Sequence, residues 1–397
     1  MAVILQLGAG ELMRHSIQQI QAIGHQVYAV DKNPNAPAFA LADGHAPIDL
    51  IDATAITRYA REIGAGAILA VNEAGVLAAS HASMALGLRG LHPDTAIKAL
   101  DKGKMRLAWQ KANLSQPNFA IVSHVESIPT VAEQIGYPII LKPTMNWGSR
   151  GISRVETPDD LPWAAAFASK HQQGGQLIVE QCIDGTEMTV EGLMREGEVS
   201  ILAKSDKEHQ PHPKFRVAMG LNYPANFPEH ILQATDDLIA QAAQALGIDN
   251  CAIHAEVMVQ DDQVYLIEMG ARPGGGHIFG QVVEAVSGVS MPQTLARILL
   301  GDTVDIRARY QRGAVYRFFA PQPGVFVRAE GVEPARQLAG VLDFGFHMSA
   351  GTVVHPIEGD ADRPGYCVTQ GATRADAMAI ADQAVALMRY TMEPLPS

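Results

Sequence analysis

One stretch, residues 254–276, constrains the fold of this chain more than any other. Two runs of strand-forming residues flank Asp261 and Asp262, a pattern that predicts a β-hairpin. Each arm carries one glutamate, Glu256 or Glu268, among apolar residues. Because burial of a lone carboxylate costs free energy, each of these glutamates needs a cationic partner.

The length of the turn decides where the two glutamates point. With a three-residue turn, 261–263, we expect Glu256 to lie opposite Glu268 on one face, whereas a two-residue turn would place them on opposite faces. Two carboxylates on one face repel unless a divalent cation or a shared proton relieves them. Oxygen ligands favour Mg²⁺ or Mn²⁺ over zinc. The alternative is a pair of glutamates at a solvated hairpin edge.

Two further segments have the composition of anion-binding sites. Arg272 and three consecutive glycines, 274–276, follow the hairpin and offer a fixed positive charge and backbone amides. Upstream, Lys142 leaves an apolar strand and enters a Gly/Ser/Asn loop that ends at Gly151. This lysine precedes its loop, so the pattern differs from a Walker phosphate loop. A cradle for phosphate is favoured, and a surface hairpin turn is the alternative.

Residues 176–183 predict a buried strand followed by a polar turn. The exposed backbone after such a strand can bond an adenine edge, with Glu187 placed for ribose hydroxyls. Residues 205–216 form a polar, proline-rich stretch without periodicity, which predicts a lid, a substrate loop or a disordered connection. His209 and His212 lack a third nitrogen or sulfur ligand at useful spacing, so zinc is not expected.

The chain begins with a pattern typical of nucleotide-binding sheets. A strand, a glycine turn at 8–10, a helix and a second strand ending at Asp31 predict a βαβ unit. The third glycine of the dinucleotide fingerprint is replaced by Met13, so the motif is incomplete. A sheet turn without a cofactor is favoured, and an NAD(P)-dependent oxidoreductase remains the rival of another class.

Composition limits the classes of binding partner and the cellular compartment that we expect for this chain. A chain of 397 residues, 47% hydrophobic, can form two or three domains. The net charge of −12 argues against a nucleic-acid partner. The sequence shows neither a signal-peptide pattern nor an apolar run of eighteen residues. Three widely spaced cysteines are typical of a reduced protein, and we expect a cytoplasmic location without membrane contact.

Taken in order, these motifs resemble the ATP-grasp superfamily over nearly the whole chain. The resemblance implies a mixture of α/β and α+β structure. It implies a Rossmann-like first domain at 1–93 that does not bind NAD. It also implies an ATP-grasp domain at 94–305 with a lid at roughly 113–180, and a smaller α+β domain at 306–397.

The resemblance also implies functional residues. It assigns phosphate contacts to Lys102, Lys142, Asn146, Gly148, Ser149, Arg150 and Gly151; adenine and ribose contacts to Glu180, Gln181, Cys182, Ile183 and Glu187; and two Mg²⁺ ions, or Mn²⁺, to Glu256 and Glu268. Arg272 would stabilise the transferring phosphoryl group and the acyl intermediate. In addition, we expect Lys207 or His209 to orient the substrate carboxylate or accept the amine's proton.

The segment E-x-G-x-R-x-G-G resembles the branch of L-amino-acid ligases and related carboxylate–amine ligases. One position departs from the superfamily, because Gly270 stands where an asparagine metal ligand is common. The expected activity is ATP-dependent formation of an amide, such as a dipeptide, through an acyl phosphate. Its substrates would be a small carboxylate and an amine, both amino acids, with a homodimer possible. A purine-pathway enzyme acting on formate or bicarbonate is the alternative within the fold.

Overall fold

The computed structural model describes residues 1–146, 148, 150–172, 175–210 and 216–395. The chain forms two compact units, each built from three segments. Unit 1 contains Met1–Gln116, Thr189–Lys204 and Phe227–Tyr310, and unit 2 contains Pro117–Met188, Ser205–Asn226 and Gln311–Ser397. The three domains that the sequence suggests stay a prediction.

The elements are given in chain order. The strands are β1 Val3–Leu7, β2 Gln26–Val30, β3 Gly44–Ala46, β4 Ala67–Ala70, β5 Phe119–Val122, β6 Ile139–Pro143, β7 Ser153–Val155, β8 Leu177–Gln181, β9 Thr186–Arg195, β10 Glu198–His209, β11 Ala218–Tyr223, β12 Cys251–Gln260, β13 Gln263–Gly270, β14 Gly313–Phe318, β15 Gly324–Glu330, β16 Val341–Phe346, β17 Val353–Val354, β18 Gly365–Gly371 and β19 Arg389–Glu393. The helices are α1 Arg14–Ala22, α2 Ala53–Glu62, α3 Glu73–Leu86, α4 Pro93–Leu100, α5 Lys102–Lys111, α6 Ile128–Ile135, α7 Leu161–Lys170, α8 Glu229–Leu246, α9 Val283–Ser287, α10 Met291–Leu300, α11 Val332–Arg336 and α12 Arg374–Leu387.

Unit 1 begins with a parallel sheet in the order β3-β2-β1-β4. Strand β1 pairs in parallel with both β2 and β4, as short βα connections require. Helices α2 and α3 cover this sheet, and their apolar side chains join those of β1 in one core. Helix α3 starts where Asn72 accepts a hydrogen bond from the Gly75 N–H at 3.2 Å. The antiparallel hairpin β12–β13 also belongs to unit 1.

Unit 2 contains antiparallel sheets. The first sheet has the strand order β5-β8-β6-β7. Helices α6 and α7 pack on it around a core that includes Ile139 and Val179. Strands β10, β11, β14, β18 and β16 are neighbours in that order, and α12 packs on β14 and β18 through its alanines. A parallel sheet with helices, followed by antiparallel sheets with helices, confirms the predicted mixture of α/β and α+β structure. Within the described residues, no helix combines the length and apolar character that a bilayer-spanning segment needs.

Candidate active site

Strands β12 and β13 place Glu256 directly opposite Glu268 in unit 1. Their turn has two residues, Asp261 and Asp262, whose φ angles of 51° and 59° are left-handed. These are the conformations of a tight hairpin turn. The two carboxylates therefore share a face, and the expectation that a two-residue turn would separate them was wrong.

A β-bulge explains this result. Val257 pairs with Leu266, whereas the next residue, Glu256, pairs with Glu268, so Ile267 is an extra residue in β13. One extra residue shifts the register by one and returns the following side chains to the other face. The sequence shows the strand period but does not mark the bulge.

Helix α5 brings a cation to this pair. The helix begins after Asp101, whose carboxylate accepts a hydrogen bond from the Lys104 N–H at 3.0 Å. Lys102, in its first turn, is buried, and its Nζ lies 3.0 Å from Oε1 of Glu268. A lysine predicted to contact ATP phosphates therefore lies beside a predicted metal ligand, and its binding role stays a prediction.

Arg106, one turn further along α5, bonds to the bulge itself. Its Nη1 donates to the Leu266 carbonyl at 2.8 Å and its Nη2 to the Ile267 carbonyl at 3.0 Å. The residue is only 1% exposed. Because these carbonyls flank the register shift, Arg106 holds the backbone geometry that aligns the two glutamates.

Two residues of unit 1 that no motif marked, one on β9 and one on β12, lie close to each other and to Glu256. Glu191 on β9 is fully buried, and its Oε1 is 2.6 Å from Nδ1 of His254. The Nε2 of His254 lies 4.0 Å from Oε1 of Glu256. His254 and Glu256 are two residues apart on one strand, so side-chain alternation could have predicted that they share a face.

Arg272, the predicted phosphoryl-stabilising residue, forms an ion pair with Glu73 at the start of α3. Its Nη1 also donates to the Pro273 carbonyl at 2.8 Å. Burial opposes the guanidinium charge, but Glu73, Glu268 and Glu191 together outweigh burial and raise the pKa of Arg272. The arginine therefore provides a permanent positive charge, and Glu73 is a neighbour that the sequence did not single out.

The carboxylates of unit 1 fit a hard divalent cation. Glu256 and Glu268 offer oxygen donors on one face, which is the ligand chemistry of Mg²⁺ and Mn²⁺. The Oε2 of buried Glu191 has no hydrogen-bond partner among the described residues. Several carboxylates in one region favour additional positive charge. Metal binding itself stays a prediction.

In unit 2, Lys142 and Glu180 form a buried ion pair. The lysine Nζ lies 2.8 Å from Oε2 of the glutamate, and the two side chains are 4% and 3% exposed. Glu180 pairs with Ile140 on the neighbouring strand, so it shares a face with Lys142 two residues further on. The structure thus brings together the predicted phosphate lysine and the predicted adenine glutamate.

Gln181, Cys182 and Ile183 follow this glutamate. The Gln181 N–H donates to the Asn118 carbonyl at 2.8 Å, and the Cys182 N–H donates to the Pro138 carbonyl at 3.2 Å. Burial raises the pKa of the Cys182 thiol, so it remains protonated at neutral pH. Adenine recognition by this segment stays a prediction.

Asn146 forms two hydrogen bonds at the predicted phosphate loop. Its Nδ2 donates to the Arg150 carbonyl at 3.2 Å and to the His171 carbonyl at 2.6 Å. Asn146 is buried, whereas Arg150 is exposed. In this structure the asparagine amide therefore shapes the loop.

Two glycines of the same loop have left-handed backbones, Gly148 with φ 70° and Gly151 with φ 73°. At Gly151 a side chain would be strained and would also come within 2.8 Å of the His171 Cβ. Ser149, predicted to contact phosphate, lies outside the described residues. Phosphate binding by the loop stays a prediction.

Glu187 has several basic side chains as neighbours in unit 2. Its carboxylate oxygens lie 2.5 Å from Nζ of Lys207, 2.9 Å from Nε2 of His209 and 3.6 Å from Nε of Arg216. Burial opposes the carboxylate charge, but Lys207 and His209 outweigh it and lower the pKa of Glu187 far below its ordinary value. The predicted ribose ligand is thus also an ion-pair partner of both predicted catalytic residues.

Lys207 and His209 lie on strand β10 and not in a loop. The prediction of an irregular segment beginning at residue 205 was therefore wrong for 205–209. These residues are polar on both faces of the strand, because Asp206 and Glu208 alternate with them, so no apolar period revealed the strand. Residues 211–215 of that segment lie outside the described residues.

The glycine turn near the start of the chain is closed by Asp31. One oxygen of Asp31 accepts a hydrogen bond from the Ala9 N–H at 3.1 Å, and the other accepts from the Asn33 N–H at 3.0 Å. Gly8 has φ 115°, and a Cβ there would come within 2.8 Å of the Asn72 side chain. Asp31 therefore has a structural role in its own turn, and the absence of NAD binding stays a prediction.

Comparison with known proteins identifies two segments. Residues 135–281 match the model of an ATP-grasp domain, and residues 317–393 match the model of L-amino acid ligase C-terminal domain 2. A formate-dependent phosphoribosylglycinamide formyltransferase of Synechococcus sp. (strain CC9605) is 28% identical over 96% of this chain and 95% of its own length. Alanine–anticapsin ligase of Bacillus subtilis (strain 168) is 29% identical over 62% of this chain and 56% of its own.

Solved structures show the same fold. An L-amino acid ligase from Bacillus licheniformis has a TM-score of 0.85 and 22% identity and covers 99% of both chains. A phosphoribosylglycinamide synthetase from Anaerococcus prevotii has a TM-score of 0.78 and 18% identity and covers 99% of this chain and 100% of its own. The predicted ATP-grasp fold is thereby confirmed.

The comparisons differ in how well they fit the two substrate hypotheses. The purine-pathway alternative fits the sequence relatives better than the dipeptide hypothesis does, since the formyltransferase matches 96% of this chain and alanine–anticapsin ligase matches 62% of it. Both hypotheses share one reaction class. The chain therefore contains an ATP-grasp domain at residues 135–281, resembles the carboxylate–amine ligases of that superfamily, and is an ADP-forming carbon–nitrogen ligase.

Proposed function

We propose that this protein activates a small carboxylate with ATP and transfers the acyl group to an amine. A carboxylate oxygen attacks the γ-phosphorus, the bond to the bridging oxygen breaks, and ADP leaves. The amine nitrogen then attacks the acyl carbon, and phosphate leaves as the amide forms and a proton is released. The observation that carries the proposal is the direct pairing of Glu256 with Glu268 beside Lys102.

Charge and position supply most of the rate in such a transfer, and no protein nucleophile is required. Glu256 and Glu268 would hold Mg²⁺, which neutralises phosphate charge when it is bound. Lys102 and Lys142 bind phosphate oxygens in this proposal. Arg272 remains charged beside Glu73 and stabilises the charge that develops during transfer.

The first candidate substrates are formate and an amine of a glycinamide ribonucleotide. The support for them is the formyltransferase relative, whose 28% identity extends over 96% of this chain. In this proposal formyl phosphate is the intermediate, and the ribonucleotide amine accepts the formyl group.

The second candidate is the ligation of two amino acids. It is favoured by one specific observation, the match of residues 317–393 to the L-amino acid ligase C-terminal domain 2. In this version the carboxylate of one amino acid is phosphorylated and the amino group of the other attacks it.

Parallel reactions distinguish these candidates. The protein is incubated with ATP and Mg²⁺ together with formate and glycinamide ribonucleotide, or with pairs of amino acids, and ADP and amide are measured by mass spectrometry. We expect ADP and amide in equal amounts with one substrate set. Absence of amide and of substrate-dependent ADP with both sets would contradict the proposal. The Glu256→Gln variant should abolish the product, whereas Glu196→Gln, a change at an exposed glutamate of unit 1, should not.

A further inference from the structure

His254 is held in one orientation by a buried carboxylate. Its Nδ1 lies 2.6 Å from Oε1 of Glu191, which is fully buried. This contact uses Nδ1 and leaves Nε2 as the ring nitrogen near Glu256. The imidazole ring is therefore oriented with Nε2 in position to bind a metal ion.

The Nε2 atom of His254 lies near the carboxylate of Glu256. Nε2 lies 4.0 Å from Oε1 of Glu256, which is beyond hydrogen-bond distance. This separation is, however, less than twice a metal–ligand distance of about 2.1 Å, so one ion between the two atoms can contact both. Metal-binding histidines commonly donate their other N–H to a carboxylate, and Glu191 lies in the position of that carboxylate beside His254.

The neighbouring position explains why such a ligand is needed here. Gly270, which replaces the asparagine common in the superfamily, pairs directly with His254 across the hairpin. A Cβ at Gly270 would lie 3.4 Å from the side chain of Arg272, so the arginine occupies the adjacent space. The chain thus lacks an amide oxygen at 270 and has an oriented imidazole on the paired strand.

We propose that His254, positioned by Glu191, is a metal ligand that replaces the missing asparagine, and that its nitrogen shifts the preference of this site from Mg²⁺ toward Mn²⁺. The proposal rests on the proposed function, because it concerns the cation that accompanies the nucleotide. Imidazole nitrogen is a better ligand for Mn²⁺ than for Mg²⁺, which favours oxygen donors. Glu191 acts through His254 and is a positioning residue.

Pulsed electron paramagnetic resonance of the full chain with Mn²⁺ and ADP tests the proposal. We expect a nitrogen coupling to the Mn²⁺ electron spin that changes to a ¹⁵N pattern when only the histidines are labelled with ¹⁵N. This labelling separates histidine from adenine nitrogen and needs no substitution. Bound Mn²⁺ and ADP without histidine coupling would overturn the metal-ligand proposal and leave the ligase function intact. Failure of Mn²⁺ and ADP to bind would overturn both.

Variants assign the coupling to one residue. His254→Asn should remove the histidine coupling, whereas His81→Asn, at an exposed position of unit 1, should retain it. Glu191→Gln should weaken Mn²⁺ binding about tenfold, the usual effect of losing an orienting partner, with a smaller change for Mg²⁺. Coupling that persists in His254→Asn at full strength would contradict the proposal. If that variant does not fold, absence of histidine coupling in the labelled parent still overturns the proposal, and a coupling that weakens in Glu191→Gln supports the assignment to His254.

Discussion

Three buried glutamates, two in unit 2 and one in unit 1, each have a partner that offsets the cost of burying the carboxylate charge. Glu180 pairs with Lys142, Glu187 with Lys207, and Glu191 with His254. Removal of one partner from such a pair leaves an uncompensated charge, which is more costly than the pair itself is stabilising. These residues are therefore constrained by folding as well as by chemistry, and tests of function must separate the two.

The Glu268→Gln substitution separates the folding role from the chemical role, because it removes the carboxylate charge and keeps the side-chain volume. We expect turnover to fall about 10³-fold, since the metal and its charge are lost where transfer needs them. Circular dichroism should show the native fold, whereas the melting temperature should fall, because buried Lys102 loses a charged partner. Glu196→Gln is the matched control. Turnover of the Glu268→Gln variant within tenfold of the parent at saturating Mg²⁺ would contradict the metal assignment.

Acid should destabilise the protein through Glu187. Its pKa is lower in the folded chain than its ordinary value of 4.5, so the folded state favours the charged form. The stabilisation is therefore complete above about pH 4.5 and is lost as the pH falls below that value. Urea unfolding at pH 5 and pH 3 should show a larger loss of unfolding free energy for the parent than for Glu187→Gln. Equal losses would contradict the role of this carboxylate.

The sequence predicted some of these residues and not others. Lys142 was singled out because a strand ending in a lysine and a glycine-rich loop forms a local motif, whereas Glu180 was named only through the resemblance to the ATP-grasp superfamily. Glu191 and Glu73 were not predicted, since each lies in an ordinary strand or helix and reaches the site only through folding. His254 had a usable signal, its spacing of two residues from Glu256, which alternation places on one face.

At the scale of elements, the bulge in β13 matters most. Without the extra residue Ile267, Glu268 would face away from Glu256. Turn residues in the sequence indicated a hairpin but left its loop length open, and a bulge depends on distant contacts. Here the contact comes from Arg106 on α5, about 160 residues away in the chain.

Arg106→Met tests this contact. It should cost about 3 kcal/mol of unfolding free energy, because two buried carbonyls lose charged donors. It should also weaken Mg²⁺ and ATP binding, since the register of the glutamates is no longer held. Lys104→Met on the same helix is the control, because its side chain is exposed. Isothermal titration and urea unfolding measure both effects, and nucleotide affinity equal to the parent's would contradict the role of the bulge.

Strand β10 supplies the other prediction at this scale. Lys207 and His209 lie on one face of a regular strand and both contact Glu187. Replacing both by alanine should leave ADP formation but lower the amide formed per ADP, because the acyl phosphate is less well protected from water. Lys170→Ala, at an exposed position of unit 2, is the control. Unchanged coupling together with unchanged Michaelis constants would show that the pair only stabilises the strand.

For the whole molecule, the order of motifs along the chain predicted the fold. A glycine turn, a lysine-led loop and paired glutamates follow one another between residues 8 and 268 of the 397, so chance agreement is small. The identity of the substrates was harder to predict from the sequence, because the side chains that line a substrate pocket follow no common pattern. The sequence motifs therefore did not decide between the two substrate hypotheses, which share one reaction class. The relatives favour the purine-pathway alternative over the dipeptide hypothesis.

The transfer of an oxygen atom tests the central claim most directly. The protein is given ATP, Mg²⁺, the amine and a carboxylate labelled with ¹⁸O, either formate or an amino acid, and the inorganic phosphate is analysed by mass spectrometry. An acyl phosphate requires that one carboxylate oxygen leaves with the phosphate. We predict ADP and phosphate carrying one ¹⁸O atom for each amide formed. Unlabelled phosphate, or AMP carrying the label, would contradict an acyl-phosphate ligase.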